Sequence, residues 1–242
     1  MEKPETKRLF IAVDLPSAIK KKVTEFVKSA RLADNKYFRP VLQKNLHITI
    51  LFLGNIELNQ ETVIKKLLPA IKIKNFDISV GNNLFFSLGN SSGIVYLKIE
   101  KGGRELKLIY ENLLKGVLNS GINIKTDKRP FMPHITIARI KNGSNNKNKN
   151  DILNLLKPFN PNNAPLSPDG LKFREFNCKK IILKQSIAED GSQVYKNIYR
   201  FALVSDDTRE VPSELSRFRG NDSRPDYRFA EAGWNILIPP LP

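Results

Sequence analysis

One short word is written twice in this chain, as His47-Ile48-Thr49-Ile50 and again as His134-Ile135-Thr136-Ile137, 87 residues apart. The chain holds 2 histidines, and each opens this tetrapeptide. A repeat that consumes every histidine is read as an internal duplication, the same strand in two copies of one structural unit. In an extended strand, residues i and i+2 share a face. His47 and Thr49 therefore project to one side, as do His134 and Thr136. Ile48, Ile50, Ile135 and Ile137 take the other side, which helices can cover. Each word is followed by a loop and a short helical pattern, Val63 to Leu68 after the first and Ile152 to Leu156 after the second.

The rest of the chain supplies partners for the two words. Arg8 to Val13 reads as a buried strand, ended by Asp14 and by Pro16, which suits the first turn of a helix. Ile19, Val23, Phe26, Val27 and Ala30 then fall on one helical face. Asn59 is a candidate N-cap for the helix carrying Val63 and Ile64. Residues 76–80 and 84–88 read as two strands around Gly81-Asn82-Asn83, and 94–99 as another. A long amphipathic helix is predicted from Arg104 to Asn119, with Gly121 as its cap. Three closing strands are predicted over 171–176, 179–187 and 194–204, the last two joined by a turn at 189–192. Strands and helices mix without strict alternation, which predicts an α+β fold. Two small, mainly antiparallel, pseudo-symmetric sheets would carry helices outside and a cleft between the lobes.

Charge marks the domain boundary. Residues 1–204 carry 27 Lys, 8 Arg and 17 acidic residues, whereas 205–242 carry no Lys, 5 Arg and 7 acidic residues. The expected domain is 1–204, and the tail 205–242 is expected to be either a disordered extension or vector-derived sequence. The net charge of +16 points to a polyanionic partner. The longest apolar runs are too short to span a bilayer, and the first residues lack the apolar core of a secretory signal. A single cysteine, Cys178, fits a reducing cytoplasm. With one Cys and two His, the usual zinc ligand set is not expected.

Two imidazoles and two hydroxyls on facing strands suit phosphodiester hydrolysis without a metal. In-line displacement puts the attacking and leaving oxygens on opposite sides of phosphorus. One imidazole can take a proton from water while the other gives one to the departing oxygen. The threonine hydroxyls can donate to the non-bridging oxygens. A single such word would be read as a structural histidine beside good strand formers; two copies reverse that reading. Arg139 is a further candidate phosphate contact. Ideal alternation puts it on the face opposite His134, and a bulge or the strand end is needed to bring it to the cleft.

Asn45-Leu46-His47-Ile48-Thr49-Ile50 with Phe52-Leu53-Gly54, and Pro133-His134-Ile135-Thr136-Ile137-Ala138-Arg139, resemble the two signature motifs of the two-histidine (2H) phosphoesterases. Within that superfamily the chain is similar to the LigT-like RNA 2′,3′-cyclic phosphodiesterases, also called 2′-5′ RNA ligases. The similarity covers residues 7–204 and includes the opening Arg8-Leu9-Phe10-Ile11-Ala12-Val13-Asp14-Leu15-Pro16. It implies the bilobal 2H fold and opening of a 2′,3′-cyclic phosphate on RNA or a nucleotide to a 2′-phosphate. It also implies joining of RNA ends through a 2′-5′ linkage in some members, with neither metal nor nucleotide cofactor. By the same resemblance His134 is the base for water, His47 the acid for O3′, and Thr49, Thr136 and Arg139 hold phosphate.

Members often carry a basic residue where this chain has Leu51, which alternation places on the His47 face. Phe10, Tyr37, Phe38 and Phe86 are candidate base-stacking residues or core aromatics. The expected protein is a cytoplasmic monomer acting on RNA or nucleotides with a cyclic phosphate end, without membrane or metal. Two other readings stay open: a phosphodiesterase for linear 2′-5′ oligonucleotides, and a non-catalytic RNA-binding module.

Overall fold

The computed structural model describes residues 4–88, 93–126, 129–141, 149–156, 175–189 and 192–205. The tail from 206 onward, most of the loop 141–150 and the start of the predicted strand 171–176 lie outside the described residues. The elements are β1 (Thr6–Asp14), α1 (Ser17–Ser29), β2 (Phe38–Pro40), β3 (His47–Glu57), α2 (Leu58–Leu67), β4 (Phe76–Leu88), β5 (Gly93–Lys101), α3 (Gly103–Asn119), β6 (His134–Ile140), α4 (Lys149–Leu156), β7 (Phe176–Cys178), β8 (Lys180–Glu189) and β9 (Ser192–Ala202).

The strands form a single antiparallel sheet in the order β7-β4-β5-β6-β3-β1-β8-β9, with β2 paired to β6. The predicted pair of sheets is thus one sheet with two halves. They join where β3 meets β6, at the single residue pair Ile48↔Ile135. The joint falls inside the repeated word, and the halves mirror each other outward from it. β1-α1-β3 in one half corresponds to β5-α3-β6 in the other. No helix among the described residues is long and apolar enough to cross a membrane.

The correspondence extends to a defect. Ile11 pairs with Leu51 and Ala12 with Thr49, so Ile50 is an extra residue on β3. Val95 pairs with Ala138 and Tyr96 with Thr136, so Ile137 is an extra residue on β6. A β-bulge of this kind breaks the two-residue alternation. Both strands accordingly show the same exposure sequence: half-buried His and Thr, a buried residue after each, a second buried residue, then an exposed one.

Ile48, Ile50, Ile135 and Ile137 all lie in the core, at 0–2% exposure, as alternation predicts. α1 buries Ile19, Val23, Phe26 and Val27, and α3 buries Leu106, Ile109, Leu113 and Val117. Three local readings are corrected. Pro16 is the N-cap of α1 and lies just outside its first turn. α2 starts earlier than Asn59 implies, because Glu57 and Gln60 form a reciprocal capping box. Residues 76–88 form one strand, and Gly81-Asn82-Asn83 occupy an irregularity in the ladder to β5 instead of a turn. Gly102 precedes α3 with φ +84°, and a Cβ there would meet the Asp77 carbonyl oxygen at 2.6 Å, so glycine is required.

Because the strands of the two halves pair at one residue pair, the isoleucines at that pair are expected to be disproportionately important. Ile48→Ala or Ile135→Ala should each lose about 2–5 kcal/mol in denaturant unfolding. Leu118→Ala, on the exposed side of α3, should change stability by less than about 0.5 kcal/mol.

Candidate active site

The seam between β3 and β6 forms the floor of a cleft of about 670 Å³. His47, Thr49, His134 and Thr136 all line it, and so does Arg139. The bulge at Ile137 explains the arginine. Ala138 turns inward in its place, and Arg139 returns to the cleft face and to solvent. Leu51 lines the cleft as alternation predicts, but the same bulge in β3 leaves its side chain buried. That residue is 5% exposed, and the exposed cleft residue is Phe52 at 61%. Phe52 therefore occupies in one half the place that Arg139 takes in the other.

Each imidazole is aimed by the same device. His47 Nδ1 donates to the Asn45 carbonyl at 2.6 Å, and His134 Nδ1 donates to the Met132 carbonyl at 2.8 Å. A carbonyl can only accept, so the proton of the neutral ring lies on Nδ1 and the Nε2 lone pair is left for chemistry. Asn45 is itself pinned, its side-chain Nδ2 donating to the Gln193 carbonyl at 2.7 Å. The two Nε2 atoms differ in what they meet. His47 Nε2 lies 2.9 Å from Thr49 Oγ1, whose hydroxyl donates to it when the ring is neutral. His134 Nε2 makes no hydrogen bond to any described residue.

His47 is packed between aromatic rings. The Phe10 centroid is 5.1 Å away, and Tyr195 meets it edge-on at 5.2 Å. Tyr96 stands 5.1 Å from His134. Burial lowers both imidazoles. His47 falls to about 4; besides burial, the Lys184 and Lys20 cations push it down, while the Asn45 carbonyl and the Asp14 carboxylate oppose the fall. His134 is lowered by burial and by Arg129, with the Met132 carbonyl opposing. Lys184 is buried, and its Nζ lies 2.8 Å from Asp14, the cross-strand neighbour of His47. Asn197 Oδ1 accepts from the same Nζ at 2.8 Å.

The candidate stacking residues fall elsewhere. Phe10 and Phe38 are each 2% exposed, so neither offers a face to a base, and Phe10 supports His47 instead. Tyr37 and Phe86 pack against the core, and the Tyr37 hydroxyl donates to Asp151 at 3.3 Å. The sequence reading did not single out Phe52, Tyr96, Tyr195, Lys125 or Arg129, all of which line the cleft. For Phe52 the signal was present: two adjacent apolar residues, Ile50-Leu51, interrupt the alternation just before it. Among the described residues lining the cleft there are four cations, Arg39, Lys125, Arg129 and Arg139, and no carboxylate.

Paired His-x-Thr strands meeting at the centre of an antiparallel sheet are the architecture of a two-histidine phosphoesterase, as the sequence resemblance implies. The chain belongs to the AKAP7 2′5′ RNA ligase-like domain family, whose model matches residues 9–203. It is 26% identical over 197 residues to an RNA 2′,3′-cyclic phosphodiesterase of Archaeoglobus fulgidus, spanning 80% of this chain and 99% of that one. It is 30% identical over 135 residues to an RNA 2′,3′-cyclic phosphodiesterase of Escherichia coli K12, spanning 56% of this chain and 73% of that one. The crystal structure of Escherichia coli LigT complexed with 3′-AMP superposes with a TM-score of 0.64 at 25% identity, covering 82% of this chain and 99% of that chain.

The depressed imidazoles have a measurable signature. With 2 histidines in the chain, proton NMR should show one imidazole Cε1–H signal each, and His47 should titrate near 4 and His134 below 6.5. Between 6.5 and about 4 the unfolded His47 binds a proton that the folded one refuses, so folding stability falls as pH falls through that window. Lys184→Met should move the His47 titration upward, because it removes a cation and leaves the Asp14 carboxylate beside the ring. An unmoved or lowered titration would contradict this electrostatic account.

Proposed function

We propose that the cleft hydrolyses the 2′,3′-cyclic phosphate of RNA or of a nucleotide to a 2′-phosphate, with His134 as general base and His47 as general acid. The observation that carries this reading is the pair of His-x-Thr motifs lining a cleft in which the charged residues described, Arg39, Lys125, Arg129 and Arg139, are all cations. The relatives named above are RNA 2′,3′-cyclic phosphodiesterases, and the chain is read as the same kind of enzyme. A phosphodiester monoanion bound between the strands raises the proton affinity of both imidazoles and offsets the burial that keeps them neutral in the empty site. His134 suits the base because its Nε2 makes no hydrogen bond to any described residue, whereas that of His47 is occupied by Thr49. Water attacks phosphorus from the His134 side as its proton passes to Nε2. The P–O3′ bond breaks on the other side, and O3′ takes the proton from the imidazolium of His47. Thr49 and Thr136 donate to the non-bridging oxygens, and Arg139 contributes a cation to the phosphate-bearing substrate. With an RNA 5′-hydroxyl in place of water as the nucleophile, the same displacement breaks P–O3′, forms P–O5′ and leaves a 2′-5′ linkage. The residues 1–204 form the catalytic domain of a cytoplasmic monomer in this reading.

His47→Ala and His134→Ala should each reduce hydrolysis of nucleoside 2′,3′-cyclic phosphates by about 10²–10⁴-fold, with the unfolding midpoint little changed. Thr49→Val or Thr136→Val should lose about 10²-fold. These rates are to be measured in excess chelator with 2′- and 3′-products resolved. Turnover that vanishes in chelator, or that falls by less than about tenfold in either histidine variant, defeats the two-imidazole mechanism. Cleavage restricted to a linear 2′-5′ dinucleotide would transfer the site to that substrate.

The roles of the two rings separate with a cyclic phosphate whose bridging O3′ is replaced by sulfur. A thiolate leaves without protonation, so His47→Ala should hydrolyse this compound at close to the wild-type rate while His134→Ala should not. The opposite pattern would exchange the two assignments.

A further inference from the structure

Beyond the bulge at Ile137 the cleft wall is made by a different strand pair. β2 lies against β6 there, and the register sets Arg39 directly opposite Arg139. Directly opposed residues of an antiparallel pair project from the same face with Cβ atoms about 4.5–5.5 Å apart, and like charges so placed repel. Both arginines are exposed and line the cleft, and neither has an ion-pair partner among the described residues. The usual remedy for such a pair, an intervening carboxylate, is missing from the described cleft lining. An anion bound between the two guanidinium groups turns the repulsion into attraction, and the planar forks match the oxygens of a phosphate.

The location selects which phosphate. Thr136 pairs with Tyr96 and Arg139 with Ile94, so across the bulge they stand two steps of β5 apart, roughly 7 Å at the usual rise. The arginine pair therefore sits beside the reacting phosphorus, whose oxygens the threonines already face. Opposite this cationic wall the cleft presents Phe52 and Tyr195, which suit the nucleoside better than its charge.

We propose that Arg39 and Arg139 form a second phosphate site, which takes the phosphate on the 5′ oxygen of the nucleotide that carries the cyclic phosphate. The proposal rests on the reading of the His47–His134 site given above and deepens it. It makes the enzyme selective for RNA ends, or for 5′-phosphorylated nucleotides, over a bare nucleoside cyclic phosphate.

Three substrates test this: a nucleoside 2′,3′-cyclic phosphate with a free 5′-hydroxyl, the same compound with a 5′-phosphate, and a dinucleotide ending in it. Wild-type kcat/KM should be about tenfold higher for at least one phosphate-bearing substrate, the order of a charge-assisted hydrogen bond. Arg39→Gln should remove most of that preference, and Arg39→Lys should keep part of it. For the dinucleotide, the log–log salt dependence of kcat/KM should become shallower by about 0.7 in Arg39→Gln. A gain with the dinucleotide identifies an RNA chain as the source of the phosphate; a gain with the 5′-monophosphate alone keeps the site and restricts it to mononucleotides. The proposal fails if a 5′-phosphate brings no gain in either form, or if Arg39→Gln lowers all three substrates equally. Should the wild type turn over none of the three, the hydrolytic reading is lost. The arginine site is then judged by fluorescence anisotropy of a labelled 5′-phosphorylated dinucleotide, which Arg39→Gln must weaken about tenfold for the site to stand.

Discussion

The structure depends on a seam one residue pair wide. Ile48 and Ile135 pair across it and point into the core, and the residues that flank them point into the cleft. Had the two strands formed a long ladder, their neighbours would have lain in a continuous sheet surface, with no room for a substrate between them. The short contact lets the sheet halves diverge on either side while holding the two histidines at a fixed separation. The isoleucines thus have two functions, filling the core and setting the geometry of the imidazoles on the reverse face.

Much of this was legible because strand alternation is rigid. A His-x-Thr word with isoleucines at the intervening positions has one amphipathic solution, and both copies adopt it. The helices that cover the isoleucines were also legible, since α1 and α3 carry unbroken apolar faces. The bulges were harder to see. A bulge adds one residue without changing composition, and its trace in sequence is two adjacent apolar residues, Ile50-Leu51 and Ile137-Ala138. Strict alternation across those positions sends Arg139 to the wrong face and misses Phe52, which is exposed in the cleft beside the buried Leu51. The continuity of the sheet was not legible either, because a joint of one residue pair leaves no pattern. Nor were Tyr195, Lys184 and Gln193, which reach the site from β8 and β9, far from either word. Nothing local in their sequence marks them.

Duplication explains the site's symmetry, and its departures from symmetry explain how the site can have a direction. The two halves share the His-x-Thr word, the carbonyl that orients each ring and the bulge. They differ in what stands around these. The strand neighbour of His47 is Asp14, engaged by the buried Lys184, whereas the neighbour of His134 is Lys98, which lies 3.8 Å over the Phe85 ring. Past the bulge, one half offers Phe52 and the other Arg139. In-line displacement requires one proton acceptor and one proton donor at any instant, so two identical imidazole environments would leave their roles undecided. In the proposed mechanism, the aromatic enclosure of His47 and its Thr49 hydrogen bond, set against a His134 Nε2 without a hydrogen bond among the described residues, remove that degeneracy.

In the proposed reaction the same departure orients the substrate. A symmetric cleft would accept a cyclic phosphate in two ways related by the pseudo-twofold axis, only one of which places O3′ beside the acid. In the proposed reaction, Arg39 and Arg139 at the β2–β6 wall meet the polyanionic part of a nucleotide, and Phe52 and Tyr195 at the β3–β9 wall meet its planar part. Discrimination between the two orientations then comes from charge at one end and stacking at the other, each worth about 1–3 kcal/mol. Together they outweigh thermal energy several-fold and place O3′ on one side. Product identity, a 2′-phosphate and not a 3′-phosphate, is in this view a consequence of residues outside the repeated word.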